Sequence, residues 1–355
     1  MKFVVACGGT GGHSFPGLAV AEELRRRGHE VVVWSSGRDI ESSVMKGWTG
    51  PVFSTGARPL SVRNAFSIFR SYLRCRKEIR RARPDALLAM GSYSSLPPVL
   101  AAYGADVKVY LHEANTVPGK AVEFLSRFAA TVAISFEMTA KFLPGVKTVR
   151  TGLPVRAEIA GGTRFDFIPE NAFVVFVTGG SQGAHAVNMM LKDALTTLKG
   201  AIDKSGGERP LYVIHQTGAK DESVVRAAYE GAGIPCRVAA FEHEMANAFS
   251  SASIVVARAG ASTCFELAAC AKPSLLIPLP TAMRDHQHFN ADAFAASGAA
   301  DEGIQASLSP RQVCRYLLEK YEHPEHLARM SAKMRELATP EAASRVADLV
   351  EGKEP

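Results

Sequence analysis

The residues best suited to chemistry lie between Ser253 and Asn290. There Ser-Ile-Val-Val-Ala-Arg-Ala-Gly-Ala-Ser-Thr-Cys-Phe-Glu leads through an Ala-rich segment to Pro273-Ser-Leu-Leu-Ile-Pro-Leu-Pro, and then to Arg284-Asp-His-Gln-His-Phe-Asn. The apolar run 254–257 reads as a buried strand and Gly260 as a turn. Ser262 or Thr263 is expected to cap a helix running through Glu266 to Ala271. A second parallel strand follows over 274–277, and Asp285 opens another helix. A Gly turn feeding a helix N-terminus gathers amide N–H groups at the positive end of the dipole, which suits a phosphate. Glu266, about one turn in, can accept both hydroxyl protons of a ribose, and Gln287 can donate to and accept from a sugar. On spacing alone, an ordinary strand–helix–strand unit with a solvated Glu266 fits equally well.

Two glycine loops echo one another. Gly8-Gly-Thr-Gly-Gly-His13 follows the first apolar run, and Gly179-Gly-Ser-Gln-Gly-Ala-His185 follows the first run of the second half. Each then enters a helical pattern. The echo predicts two similar doubly wound α/β domains, Rossmann-like and facing across a cleft, with one loop of each lining it. The first loop is not a full dinucleotide fingerprint, since Gly9-x-Gly11-x-x-Ser14 ends in serine. The second strand runs into Ser35-Ser36-Gly37-Arg38 instead of a ribose-binding acid, so a nicotinamide oxidoreductase would depend on Arg38 reading a 2′-phosphate. His13, at the mouth of the loop and the start of the helix, suits a general base, because imidazole titrates near physiological pH. A capping or packing histidine is the plainer reading, and His185 is placed in that plainer class.

The elements that must position these groups alternate along the chain, as in parallel sheets wound by helices. Strands are expected near 2–7, 30–34, 85–89, 107–111, 131–134 and 147–150, then near 172–178, 210–216, 236–240, 253–257 and 274–277. Segment 157–169 reads as a linker, and 309–352 as helical. The domains are placed at 1–157 and 164–338, with a terminal helix over 340–355 returning to the first. Loops at 91–95, 112–115 and 151–156 fall at strand C-termini, where open α/β sheets bind ligands.

A length of 355 residues favours two domains. Apolar content of 47% and charged content of 21% describe a globular protein. Six cysteines without a C-x-x-C pair indicate neither a disulfide framework nor a zinc site, and fit a reducing cytosol. The opening apolar run meets Gly8 too soon for a signal peptide, and 86–105 is broken by Gly91, Pro97 and Pro98. The net charge of +6 admits anionic partners without naming one.

That charge is concentrated between Arg58 and Arg83, which holds nine basic residues and one acid, Glu78. On a helix, Ile68, Tyr72, Cys75 and Ile79 form a core-facing stripe, with Arg63, Arg70, Arg74, Lys77 and Arg81 opposite. Phe66, Phe69 and Leu73 lie beside the basic face, as on helices that touch anionic lipid headgroups. A solvated basic face is the alternative. Nucleic acid is not expected, because no aromatic–basic platform appears and the glycine loops would have no role.

Taken together the motifs resemble the MurG family of peptidoglycan N-acetylglucosaminyltransferases, among the two-domain inverting (GT-B) glycosyltransferases. The resemblance rests on Ala-Arg-Ala-Gly-Ala-Ser-Thr-x-x-Glu, Asp-His-Gln-x-x-Asn-Ala, Gly-Gly-Thr-Gly-Gly-His, Gly-Ser-Tyr-Ser-Ser, His-Glu-x-Asn, Gly-x-Pro-Val-Arg, Gly-Gly-Ser-Gln-Gly-Ala and His-Gln-Thr-Gly218. It implies inverting transfer of N-acetylglucosamine from UDP-N-acetylglucosamine to the muramoyl 4-hydroxyl of lipid I, giving lipid II. Another nucleotide-sugar transferase of the same build, with a lipid or small-molecule acceptor, is the alternative. The resemblance makes His13 the base and puts Thr10, Gly11, Gly12, Asn115, Arg156 and Ser181 on the donor or its diphosphate. Phe241 would stack on uracil, with Glu242 bonding through its backbone. Ala261, Ser262, Thr263, Cys264, Phe265 and Glu266 would hold phosphate and ribose, and Gln287 the sugar. Phe66, Phe69, Leu73, Arg70, Arg74 and Lys77 would meet an anionic membrane, making the enzyme peripheral on the cytoplasmic face. No cofactor is required. No Asp-x-Asp pair occurs to hold a metal, and an assisting divalent ion is left open. Ala114 and Leu153 stand where the family has Gln and Asn, and Cys264-Phe265 replaces smaller or aliphatic residues, so contacts there should run through backbone.

Overall fold

The computed structural model describes every residue except Thr10, 38–44, Leu60, Ser181 and Pro355, and leaves aside the side chains of Lys46 and Val62. The chain forms two compact units, Met1–Arg156 with Thr339–Pro355, and Ala157–Ala338.

Unit 1 holds a parallel sheet of seven strands: β1 (Lys2–Ala6), β2 (Glu30–Ser35), β3 (Val52–Ser54), β4 (Ala86–Ala89), β5 (Lys108–Glu113), β6 (Thr131–Ile134) and β7 (Thr148–Arg150). Their order is β3-β2-β1-β4-β5-β6-β7, so the winding reverses between β1 and β4. Both faces are covered, which is why the strands read as unbroken apolar runs instead of alternating ones. Phe3, Val5 and Cys7 pack with Leu18, Leu24, Val346 and Val350, from the helices Gly11–Arg26 and Ala342–Glu351. Val4 and Ala6 face the other way, against Cys75 and Ile79 of the helix Ala65–Ala82.

Unit 2 repeats the plan with β8 (Phe173–Thr178), β9 (Leu211–Gln216), β10 (Cys236–Ala239), β11 (Ile254–Ala257), β12 (Ser274–Leu276) and β13 (Ala300–Glu302). The order is β10-β9-β8-β11-β12-β13, reversing between β8 and β11. In each unit the glycine loop therefore leaves the strand at the switch point, where open sheets bind ligands.

Sequence reading missed β3 and β13. Both are edge strands of only three residues, and β13, Ala-Asp-Glu, also has low β propensity; pairing with β2 and β12 fixes them. The segment expected to be a linker is fastened to unit 2. Phe165 and Ile168 are buried, and Arg164 donates to the carbonyls of Ser251 at 3.1 Å and Pro169 at 2.6 Å.

The last helix docks on unit 1 through charge as well as apolar contact. Arg27 Nη1 lies 2.6 Å from Asp348 and 3.0 Å from Glu351, while its Nε reaches Glu23 at 2.8 Å. Burial alone would raise the Glu351 carboxyl, but Lys353, His29 and Arg27 outweigh it and bring it down to about 2. A depressed carboxyl contributes stability that is full above its ordinary value and is lost as pH falls through the folded value. Glu351→Gln should therefore lower stability at pH 7 by about 1.5–3 kcal/mol, as for losing a charged hydrogen-bond partner. It should also flatten the loss between about pH 4.5 and 2. Denaturant titrations across that range check both, and an unchanged slope would remove Glu351 from the coupling.

Candidate active site

In unit 1 the site is built from the ends of β1, β4 and β5. The helix Gly11–Arg26 starts directly after the β1 loop, and Gly17 lets it settle on the sheet. A Cβ on Gly17 would overlap the Cys7 side chain and come within 3.0 Å of Met90 Cγ. That approach brings His13 Nδ1 to 2.8 Å from the Met90 carbonyl. A carbonyl only accepts, so Nδ1 carries the proton and the ring's basic lone pair sits on Nε2. Ser14 Oγ donates to the Cys7 carbonyl at 2.7 Å and Ser94 Oγ to the Gly8 carbonyl at 2.5 Å, tying the loop at both ends.

The guanidinium of Arg156 lies 4.4 Å above the Phe15 ring, and Phe15 in turn touches the space beside Gly11. Arg156, Gly11 and Gly12 thus share one helix N-terminus, an anion cradle with a fixed cation. On β5, the Glu113 carboxylate accepts from Asn115 N at 2.9 Å, Asn115 Nδ2 at 3.2 Å and Gly119 N at 2.9 Å. Its role is to shape the loop that carries Asn115. His112 is fully buried, bonded to the Gly152 carbonyl at 3.1 Å, and burial pushes its pKa down to about 4, so it is neutral at pH 7.

In unit 2 the glycine loop is clamped from β9. Gln216 Nε2 donates to the Gly180 carbonyl at 2.8 Å while its Oε1 accepts from Glu242 N at 3.2 Å. One side chain thereby links the glycine loop to the Phe241-Glu242 segment, a role that sequence reading did not assign to it. Phe241 is exposed, with His243 edge-on at 4.9 Å. The Glu242 carboxylate is occupied by Arg237, at 2.7 and 2.9 Å. Burial would raise it, but the Arg237 and Glu244 hydrogen bonds hold it below its ordinary value. With its N–H taken by Gln216, that leaves the backbone carbonyl as the part of Glu242 suited to a ligand. His185 stands at the start of its helix, its Nδ1 2.8 Å from Asp221.

The donor-type helix begins at Ala261, with Gly260 as N-cap and no side-chain cap. Ser262 and Thr263 therefore do not cap it, contrary to expectation: they fall inside the first turn, because the Gly260 carbonyl already takes the bond from Cys264 N at 3.0 Å. Ser262, Thr263 and Glu266 are half-buried, whereas Ala261, Cys264 and Phe265 are buried. Cys264 is packed so deeply that burial raises its thiol to about 12, and Phe265 meets Phe294 at 5.8 Å. Only their backbone could reach a ligand. Arg258, which the motif places beside this loop, is structural. It donates to the carbonyls of Ile277 at 3.1 Å and Pro278 at 2.9 Å, and to Gln305 at 2.7 Å. Gln287 Oε1 accepts from Leu279 N at 3.0 Å, and Asn290 ties its helix to the Ala259 carbonyl at 3.1 Å.

Residues 3–134 match the glycosyltransferase family 28 N-terminal domain, and 174–348 match the C-terminal domain of the same family. The chain belongs to glycosyltransferase family 28. It is 36% identical to the UDP-N-acetylglucosamine–N-acetylmuramyl-(pentapeptide) pyrophosphoryl-undecaprenol N-acetylglucosamine transferase of Geotalea uraniireducens strain Rf4, over 98% of this chain and 97% of that protein. The protein of the same name from Myxococcus xanthus strain DK1622 is 35% identical, over 98% and 92%. Among solved structures, Acinetobacter baumannii MurG superposes with a TM-score of 0.80 at 30% identity, covering 99% of this chain and all of that one. UDP-GlcNAc 2-epimerase from Neisseria meningitidis shares the fold, with a TM-score of 0.72 at 15% identity over 99% and 100%.

Within the family pattern, Thr10, Ser181 and the alternative anchor Arg38 lie outside the described residues. Ala114 and Leu153, which replace polar residues, are both buried, Leu153 completely. On the basic helix Ser71, Cys75 and Ile79 are buried, with Ile68 and Tyr72 at the margin. Phe66, Phe69 and Leu73 are 77%, 57% and 45% exposed. Arg70 and Arg74 line a cavity, and Lys77 faces outward. Among the described residues no helix is long and apolar enough to cross a membrane.

One strained residue supports the His13 seat. Ser92 has φ 71° and ψ 161°, a region otherwise left to glycine, and its Oγ crowds the space beside Gly9. Such strain costs ~1–3 kcal/mol, more than the ~0.4–1 kcal/mol of chain entropy that a glycine adds to the unfolded state. Ser92→Gly should therefore raise the thermal midpoint. A lower midpoint would mean that the serine side chain stabilises the loop by more than the strain it carries.

Proposed function

We propose that this family 28 protein transfers N-acetylglucosamine from UDP-N-acetylglucosamine to the 4-hydroxyl of the muramoyl unit of lipid I, giving lipid II for peptidoglycan synthesis. The observation that carries the reading is near-full-length identity, at 36%, with a transferase named for that reaction, in a chain that keeps His13 seated on Met90. The test is UDP release from UDP-N-acetylglucosamine with and without a lipid I analogue. Release that does not depend on the acceptor would overturn it.

The reaction is a single displacement. Nε2 of His13 takes the proton of the 4-hydroxyl as its oxygen attacks the anomeric carbon. The bond from that carbon to the diphosphate oxygen breaks, and UDP leaves with the electron pair. Attack from the opposite face inverts the centre and gives a β-1,4 linkage. Charge developing on UDP is met by helix N-terminal amides, for which the Ala261–Thr263 turn supplies the donors. Phe241 stacks on uracil, Glu266 takes the ribose hydroxyls and Gln287 the sugar. Unit 1 is the acceptor side and unit 2 the donor side. Because lipid I is membrane-anchored, the enzyme works as a peripheral protein on the cytoplasmic face. Phe66, Phe69 and Leu73 supply apolar contact there, and the neighbouring cations add about 1 kcal/mol each at an anionic surface.

His13→Ala should bind UDP almost as wild type while turnover falls by about 10²- to 10⁴-fold, the usual worth of a positioned base. Near-normal turnover would leave His13 as a packing residue. Glu266→Ala should weaken UDP-N-acetylglucosamine by about 1.5–3 kcal/mol, as for a charged hydrogen-bond partner. A 2′-deoxy donor should be poor with wild type and lose little further in the variant. Equal losses for both donors would show that Glu266 does not read the ribose.

A further inference from the structure

Beside the His13 loop, at the carboxyl ends of β2 and β3, unit 1 has a cavity of about 660 Å³. This falls within the ~300–1,000 Å³ usual for small-molecule sites. Its wall is polar, and the charged groups on it are Arg58, Arg70 and Arg74. Among the described residues none of the three is paired with a carboxylate, whereas the nearby Arg81 is paired with Glu78 at 2.6 Å. Three guanidinium groups on one wall give it a positive potential that favours an anion.

The surroundings are ordered for such a ligand. Arg74 is held over the Phe53 ring at 5.3 Å, which fixes its stem. Gly56 has φ 71°, and a Cβ there would find only Arg74 Nη1 within 4 Å, at 3.9 Å, so this backbone faces open space next to the cation. Ser71 Oγ donates to the Thr55 carbonyl at 2.8 Å and Thr55 Oγ1 to the Ser35 carbonyl at 2.9 Å, binding the helix to both strand ends.

Position narrows the ligand. Ser36, on the cavity wall, packs against the loop that carries His13, and a Cβ on Gly8 would lie 2.6 Å from Ser36 N. On the far side, the helix that presents Arg70 and Arg74 exposes Phe66 and Phe69. A phosphate bound here would stand between the base and the apolar side chains. An acceptor of the kind named above has that layout: C1 and C4 lie at opposite ends of a pyranose, so the diphosphate sits one ring away from the reacting hydroxyl, with the polyprenyl chain beyond it.

We propose that the cavity of Arg58, Arg70 and Arg74 binds the diphosphate of the membrane-anchored acceptor. The proposal rests on the transferase reading above. The shared chemistry is a phosphate anion held by bidentate guanidinium groups, and an anionic phospholipid headgroup would offer the same chemistry. Calorimetry with inorganic pyrophosphate, with UDP saturating so that the donor's own diphosphate subsite is filled, should detect binding to wild type that is lost in Arg70→Gln/Arg74→Gln. In phospholipid-free detergent, the variant's KM for a short-chain diphosphate acceptor should rise at least tenfold, given the worth of charged hydrogen bonds, while KM for UDP-N-acetylglucosamine stays as in wild type. Both side chains are exposed, and an unchanged UDP affinity reports an intact fold. A variant that keeps the acceptor KM but no longer sediments with anionic phosphatidylglycerol vesicles would overturn the proposal in favour of a headgroup site. Wild type that fails to bind pyrophosphate would overturn it outright. The pyrophosphate titration does not depend on turnover, so it tests the cavity even if the transferase reading fails.

Discussion

The seat of His13 depends on one close approach, the helix Gly11–Arg26 resting on the ends of β1 and β4. Only a residue without a side chain at Gly17 allows it, because any Cβ would enter Cys7. The approach sets the hydrogen bond from Nδ1 to the Met90 carbonyl, and that bond chooses the tautomer of the imidazole. The same helix start places Gly11 and Gly12 near Arg156, so His13 and this cationic helix N-terminus are positioned by one packing event. Buried interiors tolerate little added volume, and a methyl at Gly17 would have to displace the helix and the His13 seat with it.

Cationic side chains divide cleanly by partner. Arg27, Arg237 and Arg258 are each held by several acceptors within their own unit. Burial lowers the pKa of Arg258, whereas the Glu242 hydrogen bond raises that of Arg237. These arginines shape loops and dock helices. Arg58, Arg70 and Arg74 have no such acid among the described residues. Part of the net charge of +6 is therefore concentrated on one wall of unit 1.

Most of this organisation was legible in the sequence because parallel strands buried on both faces leave continuous apolar runs, and glycine loops punctuate them at the switch points. Ala300-Asp301-Glu302 carries no such signal and becomes a strand through pairing with the edge of β12. The helix cap was misread for a similar reason, since Ser262 and Thr263 are good cap residues by type but Gly260 takes the position. Roles that arise from tertiary contact stayed hidden. Gln216 reads as one residue of His-Gln-Thr-Gly, and only the fold shows it joining Gly180 to Glu242. Arg258 sits in the middle of a phosphate-type motif and yet points at carbonyls.

Glu113 shows how the family's signature can mix catalysis with architecture. It lies between His112 and Asn115, where a base or water-orienting acid would be looked for. It is fully buried, and burial raises its pKa while three donors, Asn115 N, Asn115 Nδ2 and Gly119 N, pull the other way. All three bonds run toward the carboxylate, so its oxygens are already used as acceptors and are poorly placed to take a substrate proton. The loop they fix carries Asn115, whose carbonyl also accepts from Thr139 Oγ1 at 3.1 Å. Glu113 thus sets the posture of Asn115, an architectural role inside a signature motif.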